Sequence, residues 1–219
     1  MPRESIKAQR LDLERSPERA EALQFSRSLE PIYDLNRRML ALMAEPIHES
    51  GTHDGFHMGM PLGQVLRETD PSTRQQLALC PFLLLDASFG DAAKWKPSEA
   101  VEDYAEAAPS QADCATRVIT LARATCLLSW YLLRTDPVAA RLVLGVSHEC
   151  AVVIAQTGLA DLQHVATRLV QHRWFKPRWH DRPDAWRRLI RLARARPGTP
   201  VATHGLQLFL GDLLGVERL

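Results

Sequence analysis

A ten-residue apolar run, Ala124–Leu133 (ATCLLSWYLL), sets the first limit on the fold. Arg123 and Arg134 bound this run, which lies inside a predicted helix over 112–134. A membrane span needs about 20 apolar residues, so the run is too short to cross a bilayer. A helix that is apolar on nearly every face is usually buried. We therefore expect this helix either to form the centre of the core or to lie in a subunit interface.

Signals for helix starts recur along the chain, whereas strand-like alternation is scarce. Asp70-Pro71 and Asp136-Pro137 each place a capping side chain directly before a proline. The carboxylate accepts a hydrogen bond from the first turn, and proline tolerates the first helical position because that N–H has no partner. The sequence thus predicts an all-α fold. The predicted helices cover about 17–29, 32–44, 71–85, 98–107, 112–134, 137–144, 148–157, 159–170, 183–195 and 202–214.

Predicted connections cover residues 46–63 and residues 86–97. The first contains side chains of the types that bind zinc and other divalent metals. These side chains are His48, Glu49, His53, Asp54 and His57. Their spacing differs from that of an H-E-x-x-H helix, and structural zinc sites normally use closed sets of Cys and His. We therefore predict no metal site and no cofactor.

The sequence contains no recognisable catalytic motif. No glycine-rich phosphate loop and no G-x-S-x-G sequence is present, so no catalytic residue is predicted. Cys80 lies among apolar residues, where a cysteine is more often a small core residue than a nucleophile. The four cysteines form no C-x-x-C pair, and the charged N-terminus lacks the apolar stretch of a signal peptide. These observations favour a cytoplasmic protein with reduced thiols.

Charge is divided unevenly along the chain, although the net charge is only +1. Residues 1–110 carry 12 Lys and Arg against 18 Asp and Glu, whereas residues 111–219 carry 15 against 8. Such asymmetry indicates nucleic acid or an acidic partner. We predict two parts, an acidic helical region over 1–110 with no assigned role and a basic helical domain over 111–219. If the acidic region shields the basic domain, its deletion is expected to increase DNA binding.

The positive charge is concentrated in residues 168–196, which hold ten Lys and Arg, two Asp and three of the five Trp. The arginine guanidinium matches phosphate and stacks on aromatic rings and bases. On the predicted helix over 183–195, apolar side chains and arginines occupy different faces. The candidate phosphate-binding residues are Arg168, Arg173, Lys176, Arg178, Arg182, Arg187, Arg188, Arg191, Arg194 and Arg196. The alternative is a solvated helix that pairs with the acidic region or with a partner subunit.

Residues 147–169 predict two short helices joined by a turn at Thr157-Gly158. The second helix carries an apolar stripe, and such a pair is compatible with a helix-turn-helix. Several of its exposed positions hold donors and acceptors that suit base edges. The positions predicted to be exposed are Asp161, Gln163, His164, Thr167 and Arg168.

An apolar helix over 121–136 is followed by Arg141–Ser147 (RLVLGVS) and, later, by an apolar helix over 205–214. Between the last two stand Glu149, Ala151, Ile154, Ala155, Leu159, Leu162 and Val165. In this order, residues about 117–214 resemble the FlhD subunit of the bacterial flagellar master transcriptional activator. Residues 1–110 have no counterpart in that family.

The resemblance implies an all-helical, dimerising module that joins a FlhC-type partner subunit to activate transcription. In that family the partner carries the zinc and much of the DNA contact. The resemblance favours an interface role for the apolar helix, with Leu121, Leu128, Trp130 and Leu132 as candidate interface residues. The predicted function is a transcriptional activator subunit that acts in a homo- or hetero-oligomer and contacts DNA phosphates through the basic segment. The alternative is a non-enzymatic scaffold protein whose basic face docks on an acidic partner.

Overall fold

The structure is a computed structural model that describes residues 17–45, 60–96, 109–195 and 199–213. These residues are mostly helical, which confirms the all-α prediction. The α-helices are α1 (Pro17–Met43), α2 (Met60–Arg67), α3 (Pro71–Ala78), α4 (Pro109–Thr135), α5 (Pro137–Leu144), α6 (His148–Gln156), α7 (Asp161–Gln171), α8 (Pro183–Ala195) and α9 (Thr199–Leu213). A short 3-10 helix covers Ala92–Trp95, and the strands β1 (Leu85–Asp86) and β2 (Lys176–Pro177) pair antiparallel.

The predicted capping signals start helices as expected. Asp70 accepts a hydrogen bond from the Thr73 amide at 2.8 Å at the start of α3. Asp136 accepts one from the Ala139 amide at 3.0 Å at the start of α5. Each bond satisfies one of the amides that an isolated helix start leaves without a partner.

Three predicted boundaries are wrong. The predicted break between 29 and 32 is absent, because α1 continues through Pro31, with Leu29 and Ile32 buried on either side of it. The helix predicted over 71–85 ends at Ala78, consistent with the proline at position 81 that disfavours helix in the residue before it. Helix α2 begins inside the connection predicted over 46–63. The helix predicted over 98–107 lies outside the described residues.

Helix α4 lies at the centre of the packing, in contact with α1, α5, α6 and α7. Val118, Ala122 and Cys126 are among its buried side chains, so the helix contributes to the core. One continuous core combines side chains from both sides of position 110, such as Met39 and Leu169. Among the described helices, none alone has the length and hydropathy of a membrane span; α5 and α6 reach that composition only together, bent by 116°.

An irregular segment, residues 79–84, runs into the core between α3 and β1. The fully buried Asn36 of α1 supports it, because its amide donates to the Phe82 carbonyl at 3.0 Å and accepts from the Leu84 amide at 2.8 Å. The same Asn36 amide lies 3.4 Å from the carbonyl oxygens of Ala78 and Cys80. A single side chain thus replaces the backbone partners that a helix would supply.

Arg178 also supports the segment. Its Nε donates to the Leu83 carbonyl at 2.7 Å, and a terminal nitrogen donates to the Leu144 carbonyl at the end of α5. The guanidinium also lies over the Phe209 ring of α9, 4.8 Å from the ring centroid. Arg178 therefore joins the loop before α8 to three other parts of the chain: the irregular segment, the end of α5 and α9.

Gly145 completes this junction. It ends α5 in the left-handed conformation, with φ of 63°. A Cβ atom at this position would come within 2.8 Å of the Phe209 ring. Glycine thus meets both the backbone conformation and the close approach of α9.

Candidate polyanion-binding surface

Helix α8 separates apolar and charged side chains between two faces. Trp186, Leu189 and Ile190 are buried, as the sequence predicts for its inward face. The Trp186 indole N–H donates to the Arg178 carbonyl at 2.8 Å, which fixes the ring against the preceding loop. The exposed arginines of the opposite face, here called the α8 arginine face, are Arg187, Arg188, Arg191 and Arg194.

Two of these arginines have acidic neighbours. Arg187 lies 2.8 Å from Asp184 on the same helix, and Arg194 Nε lies 3.7 Å from Asp70 Oδ2 at the start of α3. Arg188 and Arg191 form no ion pair with a described residue. Exposed ion pairs contribute only about 0–1 kcal/mol, so a polyanion could displace both carboxylates at small cost.

Asp70 is a permanent negative charge beside this face. Hydrogen bonds from the Thr73 and Ser72 hydroxyl groups and from the Thr73 amide hold the pKa of Asp70 well below its usual range. The carboxylate therefore stays ionised at physiological pH. Asp70 belongs to the acidic region, so its ion pair with Arg194 joins that region to the α8 arginine face.

Two predicted phosphate-binding residues have their guanidinium groups bound to backbone carbonyls. Arg168 donates to the carbonyl oxygens of Lys94 and Lys96 at 2.9 and 2.5 Å. Arg178 occupies the junction described above. These bonds give both side chains a structural role, and we leave them out of the proposed phosphate-binding set.

The remaining predicted residues lie around the loop before α8. Arg173 and Arg182 are exposed, and Arg173 has a positive φ of 59°. Lys176 Nζ lies 3.3 Å from His180 Nε2. Burial and Lys176 lower the pKa of His180, so its ring adds no positive charge at neutral pH. Arg196 lies outside the described residues.

The tryptophans of the basic segment contribute mainly to packing. Trp179 and Trp186 are buried and meet edge to face, with ring centroids 6.4 Å apart. Trp174 is half-buried between His172, stacked at 4.6 Å, and the Lys94 ammonium at 4.9 Å. The aromatic rings therefore position the arginine-bearing loop and helix, and only Trp174 retains partial exposure among the three.

The two predicted helices of residues 147–169 are present as α6 and α7. Gln163 and His164 are exposed, as predicted for α7. Thr167 is buried, so its predicted exposure is wrong, because it lies on the side of α7 that packs into the core. A helix-turn-helix mode of DNA binding stays a prediction.

The four predicted interface residues lie on the inner side and the flanks of α4. Leu121 is buried, whereas Leu128, Trp130 and Leu132 are half-buried against the core. The Trp130 indole N–H donates to the Thr157 carbonyl at 3.0 Å. The outer face of α4 carries other apolar side chains, which periodicity could have identified once the inward face was known.

The described residues offer little for metal or thiol chemistry. Among them, no group of three or more His, Cys, Asp and Glu side chains could hold a metal, and the histidines of 46–59 lie outside the described ranges. Burial raises the pKa of the Cys80 thiol to about 12, as expected for the core role predicted for it.

No family model, curated protein or solved structure matches this chain. The resemblance of residues 117–214 to the FlhD subunit stays a prediction.

Proposed function

We propose that the protein is a transcriptional regulator that binds the phosphates of duplex DNA through the α8 arginine face. The observation that supports this most is the exposure of four arginines within two turns of one helix, two of them without an acidic partner among the described residues. From Arg187 to Arg194 the helix rises roughly 10 Å. Arginine forks bind phosphate oxygens in pairs, which suits this array to a nucleic-acid backbone.

This surface favours phosphate contacts over base recognition. Phosphate contacts supply most of the sequence-independent affinity, whereas specificity comes from base edges or DNA shape. We therefore propose that a partner, a FlhC-type subunit in the interpretation based on the resemblance, supplies promoter recognition in an oligomeric complex in the cytoplasm.

The first prediction concerns Arg188 and Arg191. Reversing both charges (Arg188→Glu and Arg191→Glu) should weaken duplex binding by about tenfold or more at about 50 mM salt. It should also reduce the steepness of the slope of log K against log salt by about 2. Fluorescence anisotropy with labelled duplex over a salt series measures both quantities. Exposed substitutions of this kind should change the free energy of unfolding by only about 0.5 kcal/mol.

The matched control is Arg123→Glu with Arg141→Glu, which changes the net charge equally on exposed positions of α4 and α5. The control should retain most of the affinity. Equal losses in both double variants would mean that net charge alone matters, and a wild-type chain that fails to bind duplex at about 50 mM salt would reject the proposal.

A second prediction tests shielding by the acidic region. Deleting residues 1–110 would remove part of the common core, so the sharper change is Asp70→Asn, which keeps a capping side chain and removes the charge beside Arg194. Duplex affinity should rise about two- to threefold, since exposed ion pairs are weak. The same anisotropy titration measures the change, and an unaltered affinity would count against shielding by this contact.

The second candidate function is a scaffold protein whose α8 arginine face docks on an acidic protein. The Asp70–Arg194 contact favours it, because a carboxylate already lies against this face. Full-length protein that purifies free of nucleic acid, fails to bind duplex and binds an acidic polypeptide through Arg188 and Arg191 would decide for the scaffold.

A further inference from the structure

A second surface, remote in sequence from α8, exposes large apolar side chains. On α4, Leu127 and Tyr131 are 49% and 56% exposed and stand one turn apart. On α5, Val138 and Leu142 are 73% and 55% exposed at the same spacing. Single exposed apolar residues are common, but four on two consecutive, packed helices are typical of an interaction surface.

Arginines surround these side chains. Arg123 stands one turn before Leu127, and Arg141 adjoins Leu142 on α5. Arg134 stands one turn after Tyr131; its guanidinium lies over the Trp130 ring, 4.8 Å from the centroid, and donates to the Ala155 carbonyl at 3.4 Å, so it adds positive charge from a fixed position. Arg123 and Arg141 form no ion pair with a described residue. Asp136, between the two helices, uses its carboxylate to cap α5. The α4–α5 surface, defined as these four apolar residues with the three arginines, is therefore apolar with a basic border.

The basic border decides between occupants. A second copy docked here about a two-fold axis would bring the arginines toward their own counterparts, and like charges repel. An acidic amphipathic helix would bury apolar side chains on the exposed leucines and tyrosine, while its carboxylates meet the arginines. We propose that the α4–α5 surface binds an acidic amphipathic helix of a partner protein.

The dimensions suit such a helix. Arg123 and Arg134 are separated by about 17 Å along the α4 axis, which equals about three turns of a partner helix. Leu127 and Tyr131 lie between them on one face, so apolar side chains at i and i+4 of the partner would meet the apolar centre. Arg123 would then contact one end of the segment, and the Arg134 charge, held over the Trp130 ring, would lie near the other end.

The test uses a labelled synthetic peptide of about 18 residues, with leucines on one helical face and glutamates on the other. Fluorescence anisotropy with the full chain should show saturable binding. Leu127→Gln with Tyr131→Gln should weaken it by about tenfold or more. Arg123→Glu with Arg141→Glu should do the same and should reduce its salt dependence.

Two controls match these variants. Leu206→Gln with Leu210→Gln removes an exposed apolar pair of the same spacing from α9 and should leave the affinity unchanged. A peptide with lysine in place of glutamate should not bind. Arg188→Glu with Arg191→Glu should lower duplex binding and leave peptide binding intact, so failure at one surface is distinguishable from failure at the other.

Several outcomes would overturn the proposal. One is the absence of peptide binding, or binding that survives both α4–α5 variants. Another is a wild-type dimer in sedimentation at about 10 μM that Leu127→Gln with Tyr131→Gln converts to a monomer, because a second copy then covers the surface. A third is displacement of the peptide by vesicles of anionic lipid.

Discussion

Replacing Arg178 by methionine is expected to lower the free energy of unfolding by roughly 3–5 kcal/mol. The guanidinium donates to the carbonyl oxygens of Leu83 and Leu144, and methionine keeps much of the side-chain length without any donor. Both carbonyls would lose a charged partner, and each such bond contributes about 1.5–3 kcal/mol. The stacking of Arg178 over Phe209 would be lost as well.

Urea unfolding monitored by circular dichroism measures the effect. Arg178→Lys should recover less than half of the loss, because a single ammonium does not reproduce the arginine fork. The matched control, Arg188→Met, replaces an exposed arginine and should change stability by only about 0.5 kcal/mol. A common unfolding midpoint for Arg178→Met and Arg188→Met would contradict the structural role. The salt dependence of duplex binding should remain that of the wild type in folded Arg178→Met.

Asn36→Leu is expected to have a comparable effect, again roughly 3–5 kcal/mol. Leucine has a similar shape, but it leaves the Leu84 amide without an acceptor and the Phe82 carbonyl without a donor inside the core. A buried polar group without a partner costs about 1–3 kcal/mol. The effect should appear as a lower urea midpoint with an unchanged slope.

Asn36→Asp separates the two halves of this interaction. A carboxylate still accepts from the Leu84 amide, but it faces the Phe82 carbonyl without a proton to donate. This variant should be less stable than the wild type at neutral pH, and part of the difference should disappear as the pH falls and the carboxyl is protonated. Gln163→Leu, at an exposed amide on α7, is the control, and an equal loss there would contradict the special role of Asn36.

The parts of the fold that depend on local signals could be predicted from the sequence. Helices α5 and α8 have the predicted bounds, because a capping acid before proline starts α5 and a strong alternation of faces defines α8. The same periodicity identified the arginines of the α8 arginine face. These signals depend on residues within one or two helical turns of each other, so a short stretch of sequence is enough to predict the helix.

The parts that depend on distant partners could not be predicted. The apolar residues after Ala78 suggest more helix, but their backbone groups bind Asn36, which precedes Phe82 by 46 residues, and Arg178, which follows Leu83 by 95. The structural roles of Arg168 and Arg178 could not be predicted for the same reason. Every residue has a backbone carbonyl oxygen, so the sequence does not show which of them a guanidinium group binds. Charge density located the exposed arginines of α8, but it overestimated how many arginines of the basic segment face solvent.

The contacts of Phe209 determine when the core can be completed during synthesis of the chain. The Phe209 ring stacks on Phe82 with centroids 4.6 Å apart and closes over Gly145 and Arg178. Phe82, Gly145 and Arg178 emerge from the ribosome before Phe209. The apolar side chains around them therefore stay exposed in the nascent chain until α9 emerges. We expect chaperones to hold the growing polypeptide through this interval, and the core to close as one unit when the last described helix arrives.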